Sequence, residues 1–337
     1  MRAMVLTKPA PIESHPLRLE EVPVPTPGPG EILVRISACG VCRSNLHMIE
    51  GDWVAYGVPA KLPIIPGHEI IGEVTGIGPG VDWFTEGDRV GIQPLWSSCG
   101  RCEYCLTGRE QLCHFKQITG ETVDGGYAEF VLAKEEHAYP VPDEIEDVEG
   151  APLFCPGITA YGAISKARLA PGKSMALFGI GGVGHMVLQF ARLSGADVIA
   201  VGRSAHHLKL AEELGATQTL DSSRADPGET LKACGGVDTA IVFAPSTAVL
   251  HQAIKAVKRG GIVVVGVFAE AGMVSFPEEK TIVGSVLGSR QQMREVLQLA
   301  AAGKVRATCE TFRLEQAEEA LRRLKQGEVK ARAVLVI

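Results

Sequence analysis

The spacing of apolar and polar positions changes near residue 156. Before it, apolar runs such as EILVRISACG (31–40), IIGEVTGIG (70–78) and DRVGI (88–92) are separated by PTPGPG and GPG. Short strands broken by Pro and Gly turns are expected there, in a small, irregular, mainly β domain. After it, strand-like and helix-like segments alternate. KSMALFGI (173–180), ADVIAVG (196–202), VDTAIVFA (237–244) and GIVVVGVF (261–268) read as strands. VGHMVLQFARLSG (183–195), HHLKLAEELGA (206–216) and STAVLHQAIKAVKRG (246–260) read as helices, the second with Leu208, Leu210, Ala211 and Leu214 as its apolar positions. Repeated strand–helix–strand units predict a doubly wound parallel sheet. Two further helices (294–303 and 315–327) and a closing strand, ARAVLVI, complete the pattern.

The uncharged stretch Ser174 to Ala191 has the length of a membrane span, but four Gly and a His interrupt it, and Lys173 and Arg192 close it. A strand, a glycine turn and a helix explain it better. The opening MRAMVLTKPAPIESHPLRL has no apolar stretch of signal-peptide length, so a cytoplasmic protein is expected. At 337 residues the chain should hold two compact units, and its net charge of −6 with no basic block offers nothing to nucleic acid or an anionic membrane.

Gly179-Ile180-Gly181-Gly182-Val183-Gly184 follows one strand and opens a helix, with a second strand ending near Val201. This is the context in which GxGxxG binds a dinucleotide: Gly179 for the turn, Gly181 for approach of the pyrophosphate, Gly184 for helix packing. The second strand ends in Gly202, Arg203 and Ser204. An NAD site usually has Asp or Glu here; without one, and with Arg203 able to pair with a 2′-phosphate, NADP is favoured over NAD. Arg203 lying over the adenine of either cofactor is the alternative, and His206 and His207 read as exposed polar residues.

Nine cysteines in a chain without an export signal favour metal over disulfides. Cys99, Cys102, Cys105 and Cys113 lie within 15 residues, with Gly100 and Gly108 relaxing the turns. Four thiolates suit a closed structural zinc site; an iron–sulfur cluster or two disulfides are the alternatives. Cys42, His68 and Cys155 are too far apart for spacing to join them. Taken alone, His68 reads as a packed or solvated histidine and Cys155 as a small buried residue.

Gly67-His68-Glu69-Ile70-Ile71-Gly72 running to Gly78 and Val81, CGVCRSNLH (39–47), the four-Cys segment, FCPGITAYGA (154–163) and GIGGVG occur in that order. Together they resemble the zinc-containing alcohol dehydrogenases of the medium-chain dehydrogenase/reductase superfamily over essentially the whole chain. The resemblance implies an α/β fold. A GroES-like, mainly β catalytic domain (1–155, with a metal lobe at 95–115) would precede a Rossmann cofactor domain (156–289), and 290–337 would return to the first. It implies a catalytic zinc on Cys42, His68 and Cys155, with Glu69 as an occasional ligand or supporting carboxylate. With the four-Cys site that makes two zinc ions per subunit. Ser44 and His47 would relay the proton, and Arg43 and Arg332 would contact the cofactor pyrophosphate, a surface salt bridge being the alternative for each arginine. Trp53, Leu95 and Trp96 would wall a pocket for an alcohol, aldehyde or ketone with an apolar body. A homotetramer is implied over a dimer. The rival readings are a polyol or sugar dehydrogenase, a zinc-independent quinone or enal reductase, and a non-enzymatic cofactor-binding protein. Asn45 departs from the family pattern, which has Asp there to orient the metal-binding His.

Overall fold

The computed structural model describes residues 1–337. The chain forms two compact units, one of residues Met1–Cys155 and Ser289–Ile337, the other of Pro156–Gly288. The first unit is built on a seven-stranded sheet. In spatial order its strands are Cys309–Arg313, Arg332–Val336, Glu31–Val41, Ile70–Ile77, Arg89–Ile92 and Ala138–Pro140, and Phe130–Lys134 also pairs with Glu31–Val41. Pairing is antiparallel except between Cys309–Arg313 and Arg332–Val336. Ile32, Val34 and Ile36 alternate into the core, where they join Val74, Val90 and Leu335. Beyond a register shift between Ile36 and Ala38, the last four residues of that strand are all buried. This buried end delivers Cys42, which caps the helix Arg43–Glu50.

The second unit is a six-stranded, all-parallel sheet. Its spatial order is Gln218–Asp221, Asp197–Gly202, Ser174–Phe178, Val237–Val242, Val257–Val265 and Thr281–Gly284. Numbered within the unit this is 3-2-1-4-5-6, with the order reversing between the strands Ser174–Phe178 and Val237–Val242. Both are almost continuously buried, as strands covered by helices on two faces must be. The uncharged stretch from Ser174 is strand, turn and helix, and no helix is long and apolar enough to cross a membrane. One element differs from its sequence reading. The helix Thr247–Ala256 stops short of residues 257–260, which open the next strand. Val257 pairs with Val237 across an irregular register, and tertiary pairing outweighs local helical propensity.

Candidate functional site

Two clusters of metal-ligand side chains lie in the first unit. Cys42, His68, Glu69 and Cys155 bring their ligand atoms within 4.8 Å of one another, and so do Cys99, Cys102, Cys105 and Cys113. A tetrahedral zinc with bonds near 2.3 Å sets two sulfurs about 3.8 Å apart. Cys42 Sγ and Cys155 Sγ are 3.8 Å apart, Cys99 and Cys105 Sγ 3.9 Å, and Cys102 and Cys105 Sγ 3.5 Å. Both donor sets therefore fit zinc on geometry and on chemistry. In the four-Cys lobe, the backbone N–H of Arg101 leads in lowering the Cys99 thiol to about 6, while burial raises Cys105 to about 11.

In the other cluster, the Cys155 thiol hydrogen-bonds Cys42 and holds it well below its ordinary value, with His68 adding to this against burial. The same hydrogen bond pushes Cys155 well above its own. Ser44 Oγ donates to Cys42 Sγ at 3.1 Å and lies 3.3 Å from His68 Nε2. Glu69 is completely buried, and burial raises its carboxyl to about 7 against the opposing charge of Arg332. Arg332 Nη2 donates to Glu69 Oε1 and Oε2 at 2.5 and 2.6 Å and to the Val41 carbonyl at 3.0 Å. Arg332 is itself only 3 % exposed. The sequence reading gives it to the cofactor pyrophosphate, with a surface salt bridge as the alternative; the pair it makes is buried instead. Gly40 was a readable signal: a Cβ there would stand 2.0 Å from Glu69 Oε2, so the carboxylate fits only beside a bare backbone.

His47 Nδ1 is 2.6 Å from Asp52 Oδ2, a partner the sequence reading did not identify, and its ring lies 5.4 Å from that of Trp53. Asp52 sits one residue past the left-handed cap at Gly51, which turns the chain back toward His47. Arg43 is exposed and donates to the Leu324 carbonyl. Leu95 and Trp96 are consecutive in the short strand Leu95–Ser97, whose pairing with Gln117–Ile118 is irregular in register. Leu95 is fully buried. Trp96 donates its indole N–H to the Leu132 carbonyl and lines a separate groove of about 480 Å³ with Val5, Pro23, Lys61 and Pro63. None of the metal-cluster residues lines that groove.

In the second unit, Gly179 takes φ +103°, and a Cβ on Gly184 would strike the Gly179 carbonyl at 2.0 Å. A Cβ on Gly181 would meet nothing within 4 Å, so the turn is open there above a helix N-terminus. Gly182 and Val183 complete the turn, Val183 as the residue before the helix Gly184–Leu193. Gly202 ends its strand in register with Asp221, whose carboxylate is already bonded to Ser223 and Arg224. Arg203 is exposed, without a hydrogen bond or ion pair inside the chain, while Ser204 Oγ is 2.6 Å from His206 Nδ1.

Residues 28–143 match the alcohol dehydrogenase GroES-like domain family, and residues 182–302 match the zinc-binding dehydrogenase family. The chain is 41 % identical over 330 residues to an alcohol dehydrogenase of Geobacillus stearothermophilus, covering 96 % of each. Its fold is similar to the crystal structure of the alcohol dehydrogenase from Aeropyrum pernix, with TM-score 0.92, 33 % identity and complete coverage of both chains. A solved NAD-dependent alcohol dehydrogenase is also similar, with TM-score 0.90, 30 % identity and complete coverage of both.

Proposed function

The chain belongs to the zinc-containing alcohol dehydrogenases of the medium-chain dehydrogenase/reductase superfamily, and on that premise we propose a residue-level account of how it works. It is an NAD(P)-dependent oxidoreductase. Cys42, His68 and Cys155 hold the catalytic zinc with Glu69 behind them, and Cys99, Cys102, Cys105 and Cys113 hold a second, closed zinc. The 3.8 Å separation of the Cys42 and Cys155 sulfurs beside an imidazole carries this reading. Zinc there supplies a Lewis acid for an alcohol or carbonyl oxygen, and the nicotinamide supplies or accepts the hydride.

The protein's own groups do the rest. Two thiolates and a carboxylate bring three negative charges, which a divalent metal and the Arg332 guanidinium balance. Ser44, within hydrogen-bond reach of Cys42 and His68, is placed to bond a substrate oxygen. His47 passes the proton to solvent, since Asp52 engages its Nδ1 and leaves Nε2 as the exchanging nitrogen. The substrate is an alcohol, aldehyde or ketone with an apolar body, walled in part by Trp53 and Leu95. The protein works in the cytoplasm as a homo-oligomer, a tetramer over a dimer. Met273, Val274 and Phe276 are exposed in the segment leading to the edge strand Thr281–Gly284, an apolar face that a second copy would cover.

Gly179, Gly181, Gly182, Val183 and Gly184 cradle the pyrophosphate, and Gly202, Arg203 and Ser204 receive the adenosine end. NADP is preferred. Three features support this: no carboxylate at 202, an Arg203 free of internal partners, and an Asp221 committed to its own neighbours. A charge-assisted hydrogen bond contributes about 1.5–3 kcal/mol. Arg203→Ala should therefore lower kcat/KM for aldehyde reduction with NADPH by about ten- to a hundredfold and with NADH by much less. Equal losses with the two cofactors would remove the 2′-phosphate role.

A further inference from the structure

His68 can ligate a metal through Nε2 only if Nδ1 carries the ring proton, and that proton needs an acceptor. The chain supplies an amide there: Asn45 Nδ2 lies 3.3 Å from His68 Nδ1, while Asn45 Oδ1 accepts from Tyr127 Oη at 3.4 Å. The amide can accept from the ring only by turning Oδ1 toward it, and even then it brings no charge. A carboxylate does stand at the same nitrogen. Glu121 Oε1 is 3.9 Å from His68 Nδ1, under 1 Å beyond hydrogen-bond contact.

Glu121 comes from a turn remote in sequence, and the backbone explains its arrival. Gly120, at φ +73°, sits so close to the His68 segment that a Cβ would fall 2.6 Å from the Gly67 carbonyl. Glu121 is further fixed by its N–H to the Ile118 carbonyl and by its own carbonyl accepting from Ala60. Its side chain is only 13 % exposed and makes no hydrogen bond of its own. Burying a carboxylate without a partner is costly, and the ring N–H of His68 is the donor closest to hand.

We propose that Glu121 is the positioning residue for His68: its carboxylate accepts a hydrogen bond from the Nδ1–H, which stays on the ring, fixes the tautomer that ligates metal through Nε2, and supplies the negative charge missing at position 45. This rests on the metal reading of Cys42, His68 and Cys155 given above. Carboxylates behind a metal-binding His typically change metal affinity by ten- to a hundredfold.

The test uses the full-length, zinc-loaded protein and counts zinc by native mass spectrometry against increasing chelator. The release step absent from His68→Ala is assigned to this site. Glu121→Gln should release that zinc at a chelator concentration about tenfold lower or more. Moving the charge, in the double variant Asn45→Asp with Glu121→Gln, should restore retention to within about threefold of wild type. Asn45→Asp alone should change retention less than about threefold, since the charge is already supplied, and this arm holds even if Glu121→Gln does not fold. Wild-type retention in Glu121→Gln, no recovery in the double variant, or a tenfold gain from Asn45→Asp alone would each overturn the proposal. Wild-type protein with no His68-dependent zinc would instead overturn the metal reading on which it rests.

Discussion

Cys42→Ala should abolish turnover while leaving the fold standing. The residue contributes one of the two thiols of the mixed cluster and accepts the Ser44 hydroxyl, so on the proposed reading its loss would strip a metal ligand and free the group proposed to bond the substrate oxygen. Lewis-acid stabilisation contributes several kcal/mol to a transition state with developing oxyanion charge. At 1.36 kcal/mol per decade, a fall of about a thousandfold or more in kcat/KM is expected. Zinc content should drop from two equivalents per chain to one. Cys99→Ala should behave differently, because four thiolates leave no open position for a substrate; its loss should appear mainly in stability. Near-normal turnover in Cys42→Ala would remove it from the ligand set, and a single zinc in the intact wild type would contradict the two-site account.

Arg332→Ala should be among the most destabilising single changes in the first unit. Its guanidinium and the Glu69 carboxylate are buried together, and the arginine bridges to Val41 in the neighbouring strand. Removing one partner of a buried pair leaves the other charge uncompensated, at a cost of about 3–5 kcal/mol. The midpoint of chemical unfolding should fall accordingly. Adding Glu69→Gln to Arg332→Ala should recover part of the loss, since the stranded charge is then gone. If Arg332→Ala stayed within about 1 kcal/mol of wild type, the pair would have no stabilising role.

How legible each part was in the sequence depended on how local its signal is. The glycine turn was readable because Gly179, Gly181 and Gly184 act within one strand–turn–helix unit, and the four-Cys lobe because its ligands share one loop. The mixed cluster was not readable from spacing: Cys42 and Cys155 are 113 residues apart and meet only through the fold, so they were reached by family resemblance. The long-range contacts around the cluster are not legible in the sequence either. The Glu69–Arg332 pair spans 263 residues, and nothing near either residue announces the other except the bare Gly40 beside the carboxylate. Glu121 reaches His68 because Gly120 rests on Gly67, a packing relation between two glycines that no local pattern encodes.

On the proposed reading, hydride transfer depends on metal held by Cys42, His68 and Cys155. Its most direct test is the steady-state rate of NADPH oxidation with an aromatic aldehyde, measured on zinc-replete protein, after chelator has removed the His68-dependent zinc, and after zinc is returned. The rate should fall to background with the loss of that one equivalent and recover when it is restored. An undiminished rate in the stripped protein would contradict that reading.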